Sequence, residues 1–160
     1  MTVMAVVALS GCSALRTTTS SAPSSSLHDP AGGQSLEQAR KQLSSIEGLS
    51  DVSIKEERTV SGLNERHEVS IAATVEDTAA APGFVDQLAQ LGWSVNEAEP
   101  DTGVFIRLRT SPQLVIGDVA KDRGWTEAAY TTSTAELKQL VLLSPDELQK
   151  RFGPWPGKAL

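Results

Sequence analysis

Apolar and polar residues alternate with two different periods between residues 35 and 110. Helical spacing predicts one amphipathic helix from Ser35 to Gly48 and a second from Pro82 to Gly92. Two-residue alternation predicts strands at 66–76 and 104–110, and shorter apolar pairs predict strands at 51–59 and 93–99. The chain is therefore predicted to run αββαββ, followed by further helix.

Capping residues and glycines mark the ends of the predicted helices. Ser35 with Gln38 three residues later forms a capping box, and Ser111 with Pro112 marks the start of a third helix. A glycine followed by a large apolar residue favours a left-handed exit from a helix. Three glycines are predicted to end helices in this way: Gly48, Gly92 and Gly124.

Two further helical signals follow near the end of the chain. Thr134 precedes apolar residues at helical spacing, which are Leu137, Leu140 and Val141. The run Ser144-Pro145-Asp146-Glu147 is a second capping box with proline in the first turn. Phe152 and Trp155, next to Gly153 and Pro154, are expected to pin this end to the body of the domain.

These elements predict an α+β domain with a four-stranded antiparallel sheet and helices on one face, because each strand alternates between buried and solvated side chains. Adjacent hairpins give the order 51–59, 66–76, 104–110, 93–99, which is a permuted ferredoxin-like arrangement. A competing arrangement takes 66–76 as the first strand of a βαββαβ unit, with its last strand near 126–131.

The first twelve residues combine an apolar run with small residues and a cysteine. Leu9-Ser10-Gly11-Cys12 follows the apolar run Val3 to Leu9 and resembles the lipobox of bacterial lipoproteins. The resemblance implies a signal peptide at 1–11, a diacylglycerol on Cys12 and a lipid-anchored, extracytoplasmic location at the cell membrane. Because no Lys or Arg precedes the apolar run, we expect Met1 to be an internal start.

Composition limits what lies after Cys12. Residues 12–34 are predicted to be a tether, because eight of the ten residues from Thr17 to Ser26 are serine or threonine. A flexible coil of that length spans about 25 Å. Residues 35–160 then form one domain. The formal net charge of -6, with no Lys/Arg cluster along the sequence, argues against nucleic-acid binding.

No residue pattern indicates catalysis, a metal or a cofactor, so we expect a protein that is not an enzyme. His67 beside Glu65 and Glu68 would need a distant serine to act as a hydrolase, and a solvated strand end explains it as well. Three carboxylates share one side of the predicted strand 93–99 and its turn but lack the spacing of a calcium loop: Glu97, Glu99 and Asp101.

Candidate contact residues lie at two places in the domain. Trp93 and Trp125 are explained by packing at helix ends, whereas Trp155 is equally consistent with packing and with partner contact. The predicted loop from Arg58 to Glu65, which contains Asn64, is a second candidate surface. We therefore expect a membrane-anchored interaction module for an envelope protein or cell-surface component. The alternative is a small-molecule or lipid carrier with a cleft between the sheet and the C-terminal helices.

Overall fold

A computed structural model of the protein describes residues 33–126 and 138–157. Its first half contains α1 (Leu36–Ser44), β1 (Leu49–Ser61), β2 (Asn64–Val75) and, after a short 3-10 turn, α2 (Ala81–Trp93). Its second half contains β3 (Gly103–Arg109), α3 (Ile116–Asp122), β4 (Leu140–Leu143) and α4 (Pro145–Phe152). Cys12 and the tether before Gly33 lie outside the described residues.

The four strands form one sheet in the order β1-β2-β3-β4. The outer pairs are antiparallel and the central pair, β2 and β3, is parallel because α2 carries the chain back across the sheet. The α+β class with a four-stranded, mostly antiparallel sheet is thus confirmed. The predicted neighbours 51–59, 66–76 and 104–110 are also confirmed as adjacent strands.

The fourth strand is not the predicted one. Trp93 is the last residue of α2, and Val95 forms a single parallel bridge with Gln34 rather than a strand. The strand prediction rested on only two alternating apolar residues, Trp93 and Val95. Helix α2 instead continues to Trp93 and buries its side chain. The fourth strand is β4, where Leu140 and Val141 were predicted to be helical.

The helices lie on one face of the sheet, as predicted. Alternate residues of the two central strands are buried: Val69, Ile71 and Ala73 in β2, and Val104, Ile106 and Leu108 in β3. They contact α2, while α1 contacts β1 and α4 contacts β3. The residues between them in sequence remain accessible and form the opposite, open face.

Helix ends follow the sequence signals in part. The Ser35–Gln38 capping box is present, and Ser144 caps α4 by accepting from the backbone N–H of Glu147 at 3.3 Å. The third helix starts at Ile116 instead of Ser111, because Thr110 Oγ1 accepts the Leu114 N–H in the segment that precedes it.

One of the three predicted glycine exits is confirmed. Gly124 follows the C-cap of α3 with φ of 80°, in the left-handed region, and its N–H donates to the carbonyl of Lys121. Gly48 also has a positive φ of 86°, but α1 already ends at Ser44, so Gly48 belongs to the turn before β1 and the predicted exit there is wrong. The prediction that Gly92 ends a helix is wrong, because Gly92 lies within α2, which continues to Trp93. A Cβ at Gly92 would lie 2.6 Å from Val104 Cγ1, so glycine there allows α2 to approach β3 closely.

Candidate functional site

The strand register defines a grid of side chains on the open face. One row across the sheet contains Ser53, Ala72, Arg107 and Leu140. The next row contains Lys55, Ser70, Phe105 and Leu142. Paired residues on neighbouring strands point to the same side of a sheet, so these two rows form one continuous surface.

Small side chains make the centre of this surface concave. Serine and alanine occupy the middle of the two rows, whereas longer side chains surround them. The resulting cavity has a volume of about 440 Å³, and its walls include Lys55, Ser70, Ala72, Phe105, Arg107 and Arg109. This volume is at the lower end of the range of small-molecule sites, about 300–1,000 Å³.

Three cations line the cavity, and we call this group the basic end: Lys55 on β1, and Arg107 and Arg109 two residues apart on β3. Lys55 forms an ion pair with Glu57. Arg109 Nη1 donates a long hydrogen bond of 3.4 Å to Thr74 Oγ1. Arg107 makes no hydrogen bond or ion pair with any residue of the described ranges, so its guanidinium is available to a ligand.

The other end of the open face, which we call the acidic end, carries carboxylates. Glu57 is directly opposite Glu68 in the β1–β2 register. Partial burial raises the pKa of Glu68, the charge of Glu57 raises it further, and the charge of Lys55 opposes both. The open face is therefore polarised, with its positive charge concentrated over β3.

The predicted loop from Arg58 to Glu65 is wrong, because β1 and β2 continue to pair up to Ser61 and Asn64. A two-residue turn of Gly62 and Leu63 joins them, and Gly62 has the positive φ of 64° that this tight turn requires. The continuation of the β1–β2 ladder between Thr59 and Arg66 was missed because half of residues 55–68 are charged and they show no apolar alternation.

Arg58 and Asn64 therefore lie on a long hairpin. Arg58 Nη2 donates to Glu65 Oε2 at 2.6 Å, so its charge is compensated within the hairpin. The tip exposes two apolar side chains, Val60 and Leu63. No hydrogen bond or ion pair in the described chain links Trp155 to Arg58 or Asn64, so these three candidates form no common site.

His67 lies between two carboxylates rather than next to a nucleophile. Its Nδ1 is 3.3 Å from Glu56 Oε1, and its Nε2 is 3.0 Å from Glu65 Oε1. Within residues 33–126 and 138–157, no serine hydroxyl is hydrogen-bonded to the imidazole. The geometry of a Ser–His hydrolase is therefore not formed by these residues.

The three carboxylates considered for calcium have separate positions. Glu97 Oε1 accepts the Leu36 N–H at 3.1 Å and so helps to cap α1. Asp101 Oδ1 accepts the His67 N–H at 2.7 Å. In the part of the chain that the structure describes, no three His, Cys, Asp or Glu residues are grouped to hold a metal ion.

The tryptophans pack as part of the fold. Trp93 and Trp125 are buried, as the sequence predicted. Trp93 Nε1 donates to the carbonyl of Gly153 at 3.0 Å, and Trp155 Nε1 donates to the carbonyl of Val95 at 2.8 Å. Trp155 and Phe152, which contacts Trp125, thus pin the chain end as predicted. Of the two interpretations of Trp155, these contacts favour packing.

Sequence reasoning missed the basic end because its residues are far apart along the chain. Arg107 and Arg109 do alternate with Ile106 and Leu108, and this pattern was a usable sign of two cations on one strand face. Lys55 joins them only through the sheet register. A search for consecutive Lys and Arg residues does not detect such a cluster.

The described helices are all too short or too polar to span a bilayer. Comparisons with protein families, with curated proteins and with solved structures find no match for this chain.

Proposed function

We propose that this protein is a lipid-anchored, extracytoplasmic binding module of the cell envelope and not an enzyme. Its anchor is the lipid on Cys12, and its open sheet face receives a protein of the envelope or cell surface. One observation carries the binding proposal. The open face is concave and solvent-accessible, and Arg107 on it has no ion-pair partner among the described residues, whereas helices cover the opposite face.

The residue types of the open face support this proposal. Arginine and aromatic side chains are enriched where proteins bind one another, and Arg107, Arg109 and Phe105 line the cavity. A tether of about 25 Å keeps the domain near other membrane components. Local concentration is then high, so weak contacts suffice for association.

The carrier hypothesis is less well supported by the packing on the helix side. Leu148 of α4 is fully buried, and the Trp93–Gly153 hydrogen bond joins α2 to the end of α4. The 440 Å³ cavity lies on the other side of the sheet from these contacts. A cavity of about 230 Å³ beside α4, on the helix side, is lined by polar and charged residues that include Glu147, Lys150 and Arg151, and these do not suit a lipid. We therefore favour the binding module.

Site-specific photo-cross-linking in intact cells tests the binding surface. A photoreactive residue is placed at Ser53 on the open face and, in a separate protein, at Lys41 on the exposed surface of α1. We expect a discrete cross-linked envelope partner from position 53 and none from position 41. The same adduct from both positions would contradict a defined face.

Two variants in which an alanine is replaced by arginine test whether the partner occupies the cavity itself. Ala72→Arg fills the cavity floor, whereas Ala79→Arg adds the same side chain at an exposed site before α2. We expect the adduct from position 53 to disappear in the first variant and to persist in the second. Tryptophan fluorescence of both proteins verifies that they are folded, and an adduct unchanged by Ala72→Arg would refute the proposed surface.

Metabolic labelling with a fatty acid tests the anchor separately. We expect label on the wild-type protein and none on Cys12→Ala. Equal labelling of the two proteins, or labelling of neither, would remove the lipid anchor from the proposal without affecting the open face.

A further inference from the structure

The charge distribution of the open face points to the chemistry of its partner. We propose that the basic end binds acidic side chains of a partner protein, with Arg107 and Arg109 as the principal ligands of the carboxylates. This inference rests on the proposed function, because it concerns the same surface. The inference specifies that the partner is negatively charged where it contacts this protein, and it names the arginines that bind that charge. It also specifies that the acidic part of the partner lies over β3.

The arrangement of the two arginines suits carboxylate binding. Arg107 and Arg109 are two residues apart on β3 and are exposed on the same face. Each guanidinium presents a planar set of donors that can hold a carboxylate through two parallel hydrogen bonds. Arg107 has no competing carboxylate among the described residues, and Arg109 has only its long contact with Thr74.

The surroundings of the arginines strengthen such a contact. Phe105 and Leu140 are half-buried on the same face and provide apolar walls next to the guanidinium of Arg107. Apolar walls lower the local dielectric constant, so an ion pair formed there is screened less than one on a convex surface. Ser53 and Ser70 add hydroxyl donors to the floor of the cavity.

Basic charge at this position stands out against the rest of the molecule. The chain has a formal net charge of -6, whereas the cavity walls hold three cations and a single carboxylate, Glu57. A long-range field would therefore repel a polyanion from most of the surface and attract it here. Lys55 is paired with Glu57, whereas neither arginine forms an ion pair within residues 33–126 and 138–157. Charge complementarity with an acidic segment is the simplest account of these two arginines.

The acidic end of the same face distinguishes a protein segment from a phosphate polymer. Glu57 and Glu68 lie one row beyond Lys55 and Ser70 in the strand register. A uniformly charged polymer that crossed the face would meet these carboxylates and be repelled. A protein segment can place acidic residues over β3 and neutral or basic residues over Glu57 and Glu68.

Titration of the full chain with a short oligoglutamate peptide tests the inference, with backbone amide NMR signals as the readout. At low salt we expect shifts confined to open-face residues such as Ser70, Ala72 and Arg107. Loss of one charge-assisted hydrogen-bonding partner should weaken binding about tenfold in Arg107→Ala. Arg40→Ala, which removes the same charge from the exposed surface of α1, should leave the affinity unchanged.

Three results would overturn the inference. They are equal affinity in Arg107→Ala and Arg40→Ala, shifts located away from the open face, and binding of inorganic polyphosphate with no binding of oligoglutamate. The photo-cross-linking above remains an independent readout. An adduct at position 53 that Ala72→Arg abolishes, together with no oligoglutamate binding, would preserve the binding surface and reject its acidic partner.

Discussion

Asp86 joins three segments of the fold through one carboxylate. Its Oδ1 accepts the indole N–H of Trp125 at 2.9 Å, and its Oδ2 accepts from Arg123 Nε at 2.9 Å. Arg151 of α4 approaches Oδ1 at 3.6 Å and lies 4.0 Å above the centre of the Trp125 ring. Trp125 is fully buried, and its indole N–H loses this acceptor when Asp86 is removed.

Replacing Asp86 by alanine should therefore destabilise the domain. A buried donor left without a partner costs about 1–3 kcal/mol. The ion pair contributes less, about 0.5 kcal/mol, because 49% of the Arg123 side chain and 25% of the Asp86 side chain remain exposed. We expect Asp86→Ala to lower the free energy of unfolding by about 2–3 kcal/mol. Asp86→Asn keeps an acceptor for the indole, so we expect about 1 kcal/mol.

Urea unfolding followed by tryptophan fluorescence measures these differences. Asp118→Ala is the matched control, since it also places alanine in a helix and removes only an exposed contact of 3.7 Å with Lys121. We expect the control to cost less than about 0.5 kcal/mol. If Asp86→Ala and the control agreed within that amount, the buried Asp86–Trp125 hydrogen bond could not be the source of stability argued above.

Three further predictions concern packing, charge and the chain end. Gly92→Ala should destabilise the protein by about 1–2 kcal/mol because the new Cβ would clash with Val104. Gly83→Ala in the same helix is the control, and it should be neutral or stabilising because its Cβ would meet nothing within 4 Å. Equal effects of the two variants in thermal unfolding would refute this. Glu68→Gln should stabilise the protein at neutral pH, because the pKa of Glu68 is raised in the fold. The stability advantage of Glu68→Gln over the wild type should accordingly shrink as pH falls from that raised pKa through the ordinary value of 4.5. A difference between the two proteins that does not change with pH in urea titrations would contradict this. Trp155→Phe should lower the free energy of unfolding by about 1 kcal/mol through loss of the hydrogen bond to Val95, and it should leave the cross-link at Ser53 intact. Loss of that cross-link in a folded protein would implicate Trp155 in the interface.

The sequence predicted those parts of the fold in which local signals agree with packing. The capping box at Ser35 and the N-cap bond at Ser144 fix helix starts through hydrogen bonds within a few residues, so no distant partner is needed. The strands around Ile71 and Ile106 alternate strictly because one face is buried. Their adjacency followed from the order of the elements.

The parts that were wrong depend on contacts between residues distant in sequence. β4 has four consecutive apolar residues, so periodicity alone could not separate a strand from a helix at Leu140. The end of α2 was misplaced because Gly92 serves the close approach of Val104, a role that local sequence does not reveal. The candidate site was not predicted either, because Lys55 and Arg107 lie on one face of the sheet only through the pairing of both their strands with β2.

The outer strand β1 is an edge of the sheet and carries Lys55, Glu56, Glu57 and Arg58 in sequence. In an antiparallel pairing of two copies centred between Glu56 and Glu57, each lysine would oppose an arginine and each glutamate a glutamate. Like charges directly opposite destabilise such a pair. Two copies of this chain are thereby discouraged from joining their sheets in this register.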